Sequence, residues 1–326
     1  MQTVLYNGKI YQNRDCFVSA LLIENGIIAL AGSDSEVLSA AKADAQRTDL
    51  EGRTVVPGFN DSHLHLYSVG ANLQSVQLYG STSIAEVIER CRKFIAEHKI
   101  PAGTPVTGRG WNQDYFTDEQ RLLTRHDLDK ISTEHPIILN RACGHAVTCN
   151  TMTLKVAGVD GNTPQVPGAQ FDLDENGEPN GIFREHATRL IEKILPAPTQ
   201  ADLENTLRTA MAHAAENGIT SVQTNDVNGD SDYEMMLAAY RRLADSGEAT
   251  LRVYHQCCFM DLDAYKAFAA KGYTTGVGDD MCKIGPLKLF IDGSLGARTA
   301  LMRKPYADDP STQGIQTLTQ EQTDAM

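Results

Sequence analysis

The 326-residue sequence lacks long hydrophobic runs and clusters of positive charge. No apolar stretch approaches the roughly 18 residues that span a bilayer, and the amino terminus has no basic segment followed by an apolar one, so we expect neither a membrane partner nor a secretory signal. Acidic residues outnumber basic ones by 42 to 29, a net charge of −13 that disfavours nucleic acid as a partner. The expected ligand is a small molecule.

Paired cysteine motifs are also missing. The seven cysteines are an odd number without CxxC spacing, which fits neither a disulfide framework nor a structural zinc ribbon. We therefore expect a reducing, cytoplasmic compartment. The sequence contains no GxGxxG or GK[ST] motif, which excludes the usual dinucleotide and P-loop phosphate sites.

Residues 1–56 carry short apolar and β-branched runs, with Asn-Gly pairs at 7–8 and 25–26 that signal hairpin turns. These runs predict a small antiparallel domain. From Pro57 onward, apolar runs follow helical stretches that end in glycine, as in ITSVQTND (219–226). Parallel strands need such crossover helices, so residues 57–326 predict an α/β domain.

A long region punctuated by glycine and proline interrupts the α/β pattern between about residues 78 and 198. Loops of this length inside a compact domain are usually functional or fold as a subdomain. We therefore expect an insertion subdomain that follows the first strand of the α/β domain.

Two histidines stand one residue apart in FNDSHLHLYSVG (59–70), after an apolar run. On a strand, His63 and His65 lie on one face, and the carboxyl ends of parallel strands are where α/β barrels assemble their active sites. Two imidazoles placed in this way can reach one metal ion. A chain with nine histidines contains such a pair by chance about 0.25 times, so the pair alone also fits two polar residues that alternate along a strand.

The context of the pair resembles the amidohydrolase superfamily, whose first barrel strand is typically written Pro-Gly-Phe-x-Asp-x-His-x-His. Pro57, Gly58, Phe59 and Asp61 match it together with the two histidines. Further blocks resemble the branch that includes YtcJ-like proteins and N-substituted formamide deformylases. They are GRGWNQDYF (108–116), PIILNRACGHAVTCNTMTL (136–154), NGIFREHA (180–187), GITSVQTND (218–226) and LKLFIDGSLGARTALMRKPY (287–306).

This resemblance implies a composite β-sandwich, begun by residues 1–56, joined to a metal-dependent (β/α)8 TIM barrel in residues 57–326. It implies hydrolysis of carbon–nitrogen bonds other than peptide bonds, in a small amide or N-substituted formamide, with one or two divalent metal ions, most commonly zinc. Two alternatives stay open. One is a non-catalytic domain that binds a small molecule or a partner, and the other is a cyclic amide or amidine hydrolase or deaminase.

The resemblance also implies roles for single residues. His63 and His65 are metal ligands, and Lys288 and Asp292 are candidate catalytic residues. Carboxylation by CO₂ would let Lys288 bind metal as well, although a plain ion pair with Asp292 is the alternative. Asp292 either faces the pocket or caps its own loop as an Asx turn.

Four residues of the insertion are candidates for substrate binding, and each also has a structural interpretation. Trp111 and Asn112 would wall a pocket or anchor the subdomain core. His145 would face substrate or bind the loop backbone, and Glu185 would orient a ligand or start a helix. His255, at a strand end, is a further pocket candidate.

The sequence is short for a complete barrel. A (β/α)8 barrel needs about 250 residues, whereas the 270 residues from Pro57 leave only about 150 once the insertion is removed. We therefore expect the barrel to be truncated to about its first half, with four strands, and the chain to be an incomplete and inactive fragment. An open sheet edge would favour a homodimer, a rearrangement or stabilisation by the insertion.

Overall fold

The computed structural model describes residues 1–144, 146–165, 170–229, 231–293, 295 and 299–326, without the side chain of residue 186. These residues form two compact units. The first comprises Met1–Asn60 with Gly218–Ser221, and the second comprises Asp61–Asn217 with Val222–Met326.

Short strands and one helix make up most of the first unit. They are β1 (Gln2–Tyr6), β2 (Lys9–Asn13), β3 (Cys16–Val18), β4 (Ala20–Glu24), β5 (Ile27–Gly32), α1 (Asp34–Ala40), β6 (Gln46–Asp49) and β7 (Thr54–Val55). The strands form one sheet in the order β5-β4-β1-β6 and another in the order β3-β2-β7. A small core of Val4, Ala20, Leu22 and Val37 lies beneath α1.

The hairpin predictions have different outcomes. The turn at Asn25–Gly26 joins the antiparallel pair β4 and β5, with both residues at positive φ, so this prediction is confirmed. The prediction at Asn7–Gly8 is wrong, because β1 and β2 belong to different sheets. An all-antiparallel domain is also wrong, since β1 pairs with β6 and β2 with β7 in parallel.

The strands and helices of the second unit follow β8 (Phe59–Leu64), whose first two residues belong to the first unit. They are α2 (Leu66–Leu73), β9 (Val76–Gln77), α3 (Ile84–Glu97), β10 (Val106–Trp111), α4 (Arg125–Asp129), β11 (Ile137–Arg141), β12 (Ala146–Cys149), α5 (Thr151–Ala157), β13 (Gln170–Leu173), β14 (Pro179–Arg184), α6 (Arg189–Glu192), α7 (Gln200–Glu216), β15 (Ile219–Asn228), α8 (Tyr233–Asp245), β16 (Arg252–Cys258), α9 (Leu262–Ala270), β17 (Cys282–Lys288) and α10 (Gln320–Ala325). Two 3₁₀ helices cover Gln113–Tyr115 and Glu185–Thr188.

One sheet has the order β17-β16-β15-β8, and its strands alternate along the chain with α7, α8 and α9. Strands β16 and β17 pair in parallel. The helices start where the sequence provides caps, since Thr199 forms a capping box with Asp202 and Asp232 accepts from the Met235 amide. The predicted α/β class is confirmed as a mixed α/β fold.

A second sheet, in the order β13-β14-β12-β11-β10-β9, occupies most of the predicted insertion. Its strands run in mixed directions, with β10 and β11 parallel and β12 antiparallel to both β11 and β14. Two apolar clusters pack on it, one around Leu139 and Trp111 and one around Phe171 and Phe183. This region therefore has hydrophobic cores of its own.

In the part of the chain that the structure describes, no helix is both long enough and apolar enough to span a membrane.

Candidate metal centre

The paired histidines lie where β8 turns into α2. His63 is in the strand and His65 is the residue that immediately precedes the helix. Their ring centroids are 5.7 Å apart, with the ring planes at 77° to each other. Both side chains are exposed, so they do not belong to a hydrophobic core. Both imidazole rings can therefore be approached from solution.

Gln256 of β16 determines which nitrogen His63 offers. The amide Nε2 of Gln256 donates to the Ser62 carbonyl oxygen at 3.3 Å, which turns its Oε1 toward His63 Nδ1 at 2.9 Å. An amide oxygen only accepts, so Nδ1 carries the hydrogen of this contact. In the neutral ring, Nε2 then keeps its lone pair. Metal-binding histidines typically have this arrangement, in which the second ring nitrogen donates to a neighbouring oxygen.

Lys288 lies on the open side of the His63 ring. Its Nζ is 3.4 Å from His63 Nε2, the nitrogen that Gln256 leaves available. The ammonium also lies 4.8 Å from the centroid of the Phe290 ring. His63, His65 and Lys288 are thus close together although 225 positions separate the lysine from the first histidine. The contact on Nε2 is made at the position where a metal ion would bind.

An irregularity in β17 determines the face from which Lys288 emerges. His255 pairs with Ile284 and Cys257 with Leu287, so β17 has one more residue than β16 over this stretch. Such a bulge reverses the side on which later side chains point. Gly285 lies in the bulge, where a Cβ would clash with the His255 carbonyl. Lys288, paired with Cys258, therefore shares the face of Gln256.

The donor set fits part of a metal site. Catalytic zinc sites commonly use three protein ligands, and histidine is the most frequent among them. His63 and His65 provide two imidazoles, and carboxylated Lys288 would add an anionic oxygen. Among the residues that the structure describes, no group of three His, Cys, Asp or Glu side chains is placed to hold a metal ion, either at this site or elsewhere.

Asp292 does not pair with Lys288 in the described part of the chain. Its Oδ2 accepts from the Leu301 backbone amide at 2.9 Å, nine residues along the chain. The carboxylate therefore binds backbone that lies after β17 in the chain. This contact resembles the capping alternative, although it spans more residues than an Asx turn.

Trp111 and Asn112 have structural contacts in the insertion. The Trp111 ring is fully buried, and its indole donates to the Leu139 carbonyl oxygen at 3.2 Å. The buried ring belongs to an apolar cluster of the insertion, which supports the core-anchor interpretation of Trp111. Asn112 Oδ1 accepts from the Asp114 amide and from Arg141, which ties the 3₁₀ helix to β11.

The other two insertion candidates are less defined. His145 lies outside the residues that the structure describes. Glu185 is exposed and begins the second 3₁₀ helix, with φ at 49°, a conformation that residues other than glycine adopt rarely.

His255 is a core residue and does not face a pocket. Its side chain is completely buried, its Nε2 lies 3.3 Å from Cys282 Sγ, and its ring packs edge-on against Tyr240. Burial lowers the pKa of His255 to about 3, because the charged imidazolium would lose its hydration. His255 is therefore neutral at physiological pH.

A cavity of about 540 Å³ opens beside His65. Its lining includes Tyr67 of α2, Asn225 and Asp226 of β15, and Met236 of α8. Sites for small molecules have volumes in this range and combine apolar walls with a few polar groups. The cavity therefore offers space for a small molecule next to the paired histidines.

Sequence reasoning missed Gln256, which contacts His63, and Asp226, which lines the cavity. The available signal was polar residues in otherwise apolar strands, as in VQTND (222–226) and YHQCC (254–258). This pattern identifies the polar residues, but it does not predict which side chains they contact.

Comparisons with known proteins identify the family of the chain. A model of the Amidohydrolase family matches residues 46–326. YtcJ of Bacillus subtilis is 30% identical over 319 residues, which cover 97% of this chain and 59% of YtcJ. N-substituted formamide deformylase of Arthrobacter pascens is 35% identical over 191 residues, covering 57% of this chain and 34% of that enzyme.

A solved structure is similar over the whole chain. An uncharacterized metal-dependent hydrolase of Pyrococcus furiosus matches with a TM-score of 0.76 at 30% identity, over 100% of this chain and 64% of that one. The chain thus spans about three-fifths of the length of YtcJ and of this hydrolase. The region matched by the family model includes His63, His65 and Lys288. The chain belongs to the amidohydrolase family.

Proposed function

We propose that the chain is part of a metal-dependent hydrolase that cleaves carbon–nitrogen bonds other than peptide bonds in small molecules. Family membership supports the reaction class, and one arrangement in the structure supports the metal. Gln256 accepts from His63 Nδ1, and Lys288 Nζ lies 3.4 Å from the opposite nitrogen, Nε2. A ring held in this way presents one nitrogen to a ligand in a fixed direction.

His63 and His65 would hold the ion, most commonly zinc, and Lys288 would add a ligand once carboxylated. When bound, a divalent ion supplies Lewis acidity that polarises a carbonyl oxygen and activates water. Gln256 keeps His63 in the tautomer that leaves Nε2 open. The cavity beside His65 would hold the organic part of the substrate, with Met236 on its apolar wall.

We propose an amide or N-substituted formamide as the substrate class. The support is the named activity of the Arthrobacter pascens relative, whose match covers only 34% of that enzyme. The scissile group would have to reach the histidines from the cavity, so a compact substrate fits best. Asp292 and Glu185 stay candidates for contact with it.

At this site the described residues place two imidazoles together, without a third His, Cys, Asp or Glu side chain. We therefore propose that the chain corresponds to about the first half of a TIM barrel, and that alone it binds metal weakly and does not turn over substrate. Chemistry of this kind commonly needs at least three protein ligands to hold the metal. The remaining ligands would come from the part of the relatives that this chain does not span.

Calorimetric titration with Zn²⁺ and Co²⁺ tests the metal pair. His63→Ala and His65→Ala should each weaken binding by at least about tenfold, because each removes one of two imidazole ligands. His213→Ala is a matched control, since His213 is an exposed histidine on α7. Equal binding by all three variants would contradict the assignment of the metal to this pair.

Assays of the same proteins on a panel of N-substituted formamides and cyclic amides test the rest. The chain alone should give no turnover above the rate of the His63→Ala variant. Turnover that is lost in His63→Ala would confirm the reaction class and disprove the proposal that the site of this chain is incomplete.

A further inference from the structure

Helix α2 begins directly after His65, yet its own sequence does not cap it. The first amides of a helix lack partners within the helix and need acceptors from elsewhere. His65 occupies the cap position, with φ at −118° and ψ at 87°, and its side chain makes no capping hydrogen bond. The imidazole is thereby left for another role.

Two side chains of β15 accept from these amides instead. Leu66 N donates to Thr224 Oγ1 at 2.9 Å, and Tyr67 N donates to Asp226 Oδ2 at 3.1 Å. The Thr224 hydroxyl in turn donates to Asp226 Oδ2 at 2.6 Å. Thr224 and Asp226 are two residues apart on a strand, so both point to the face where α2 starts.

This network is buried and its hydrogen bonds are mutually consistent. Thr224 is 0% exposed and Asp226 is 6% exposed. Tyr240 supplies a third donor, with its hydroxyl 2.6 Å from Asp226 Oδ2. Burial and the nearby Asp226 charge raise the pKa of Tyr240, so its hydroxyl keeps its proton. A carboxylate is also stabilised at the positive end of a helix.

The opposite end of α2 is fixed separately. The Thr206 hydroxyl of α7 donates at 2.9 Å to the side chain of Gln74, the residue that caps the carboxyl end of α2. Gly70 lies against the Thr206 carbonyl, where a Cβ would clash. These contacts hold α2 against α7, and the contacts from β15 hold its first turn.

We propose that Thr224 and Asp226 are positioning residues that hold the first turn of α2 and thereby orient His65 for metal binding. The inference rests on the proposed function, because it assigns the metal to the His63 and His65 pair. Neither residue needs to touch the ion. Partners of this kind typically change metal affinity by 10- to 100-fold when they are removed.

Three substitutions separate positioning from plain stability. Thr224→Val keeps the shape of the side chain and removes the hydroxyl, whereas Thr224→Ser keeps the hydroxyl. Thr206→Val is the matched control, since it removes a hydroxyl bonded to the other end of the same helix. Each purified chain is measured for Co²⁺ affinity, for the Co²⁺ visible absorption bands, and for amide hydrogen exchange of the metal-free protein.

Thr224→Val should weaken Co²⁺ binding by about tenfold, shift its absorption bands and speed exchange at Leu66 and Tyr67. Thr224→Ser should restore affinity to within about threefold. Thr206→Val should leave the affinity and the exchange at Leu66 unchanged while lowering thermal stability. Equal losses of affinity in Thr224→Val and Thr206→Val would overturn the inference, as would unchanged exchange at Leu66 in Thr224→Val.

The two proposals fail in different ways. If His65→Ala binds Co²⁺ as well as the parent chain, the metal assignment is wrong. The metal-free exchange data then decide whether Thr224 and Asp226 hold the first turn of α2. If His65→Ala loses binding and Thr224→Val does not, the metal assignment stands and the positioning role is wrong.

Discussion

Replacing Gln256 should weaken metal binding far more than it weakens the fold. Gln256→Leu removes the 2.9 Å contact with His63 Nδ1 and the 3.3 Å contact with the Ser62 carbonyl. Each hydrogen bond of this type contributes about 0.5–1.5 kcal/mol, and the longer contact lies at the weak end of that range. Because the His63 side is solvent-exposed, water replaces part of the loss. We expect the free energy of unfolding to fall by about 1 kcal/mol.

The expected effect on the metal is larger, because His63 would be free to rotate and to change tautomer. We expect the dissociation constant for Co²⁺ to rise by about 10- to 100-fold in Gln256→Leu, measured by titration at constant pH. Gln256→Glu is the informative companion, since a carboxylate accepts from Nδ1 more strongly and should bind Co²⁺ better than the leucine variant does.

Two results would refute this reasoning. One is Co²⁺ affinity within twofold of the parent chain in Gln256→Leu. The other is equal loss in the leucine and glutamate variants, which would show that packing around Gln256 matters and its acceptor oxygen does not. Urea unfolding of each variant without metal separates a loss of fold from a loss of orientation, because the metal-free midpoint contains no contribution from binding.

Four further predictions follow from buried groups, the bulge and exposed surface. Burial lowers the pKa of His255 to about 3, so as pH falls below about 6.5 the unfolded chain binds a proton at this histidine and the folded chain does not. The free energy of unfolding should therefore drop by about 2 kcal/mol by pH 5. Urea titrations that give the same free energy across this pH range would contradict the prediction. Trp111→Ala should cost about 3–5 kcal/mol of unfolding free energy, whereas retained stability would argue against its core role. Gly285→Ala should destabilise the chain by about 1–3 kcal/mol and weaken Co²⁺ binding, and unchanged binding would show that the bulge does not place Lys288. Phe290 and Ile291 are about half exposed, so we expect the chain to sediment as a homodimer. A chain that sediments as a monomer and unfolds in one cooperative transition would be evidence against this prediction.

The sequence predicted those features of the fold that depend on residues close together in the chain. Helices that end in glycine before β-branched runs indicated the α/β part, and Asn25–Gly26 indicated a hairpin that exists. Asn7–Gly8 failed because the same dipeptide also allows a sharp change of direction without closing a hairpin. The Asn-Gly conformation is local, whereas the sheet that β2 joins depends on its pairing with β7, more than 40 residues later.

The residues of the candidate site likewise fall into those that a short segment predicts and those that depend on distant parts of the chain. His63 and His65 could be found because both chemical identity and spacing lie within one short segment. Gln256 could not, since its importance depends on the neighbouring Ser62 carbonyl and on the ring of His63, 193 positions away. For Trp111 both interpretations stayed open, because an aromatic ring beside amides fits a pocket wall and a subdomain core. Only burial separates these two roles.

Lys288 shows most clearly why strand pattern alone is insufficient. Without the extra residue in β17, strict alternation would place Lys288 on the face of Ile284, which is buried. The bulge moves it to the face of Gln256, within 3.4 Å of His63 Nε2. That bulge needs Gly285, because the His255 carbonyl occupies the space of a Cβ. The lysine of the proposed site is therefore positioned by a residue without a side chain, three positions earlier. A substitution there would leave every candidate ligand in the sequence and still separate Lys288 from His63.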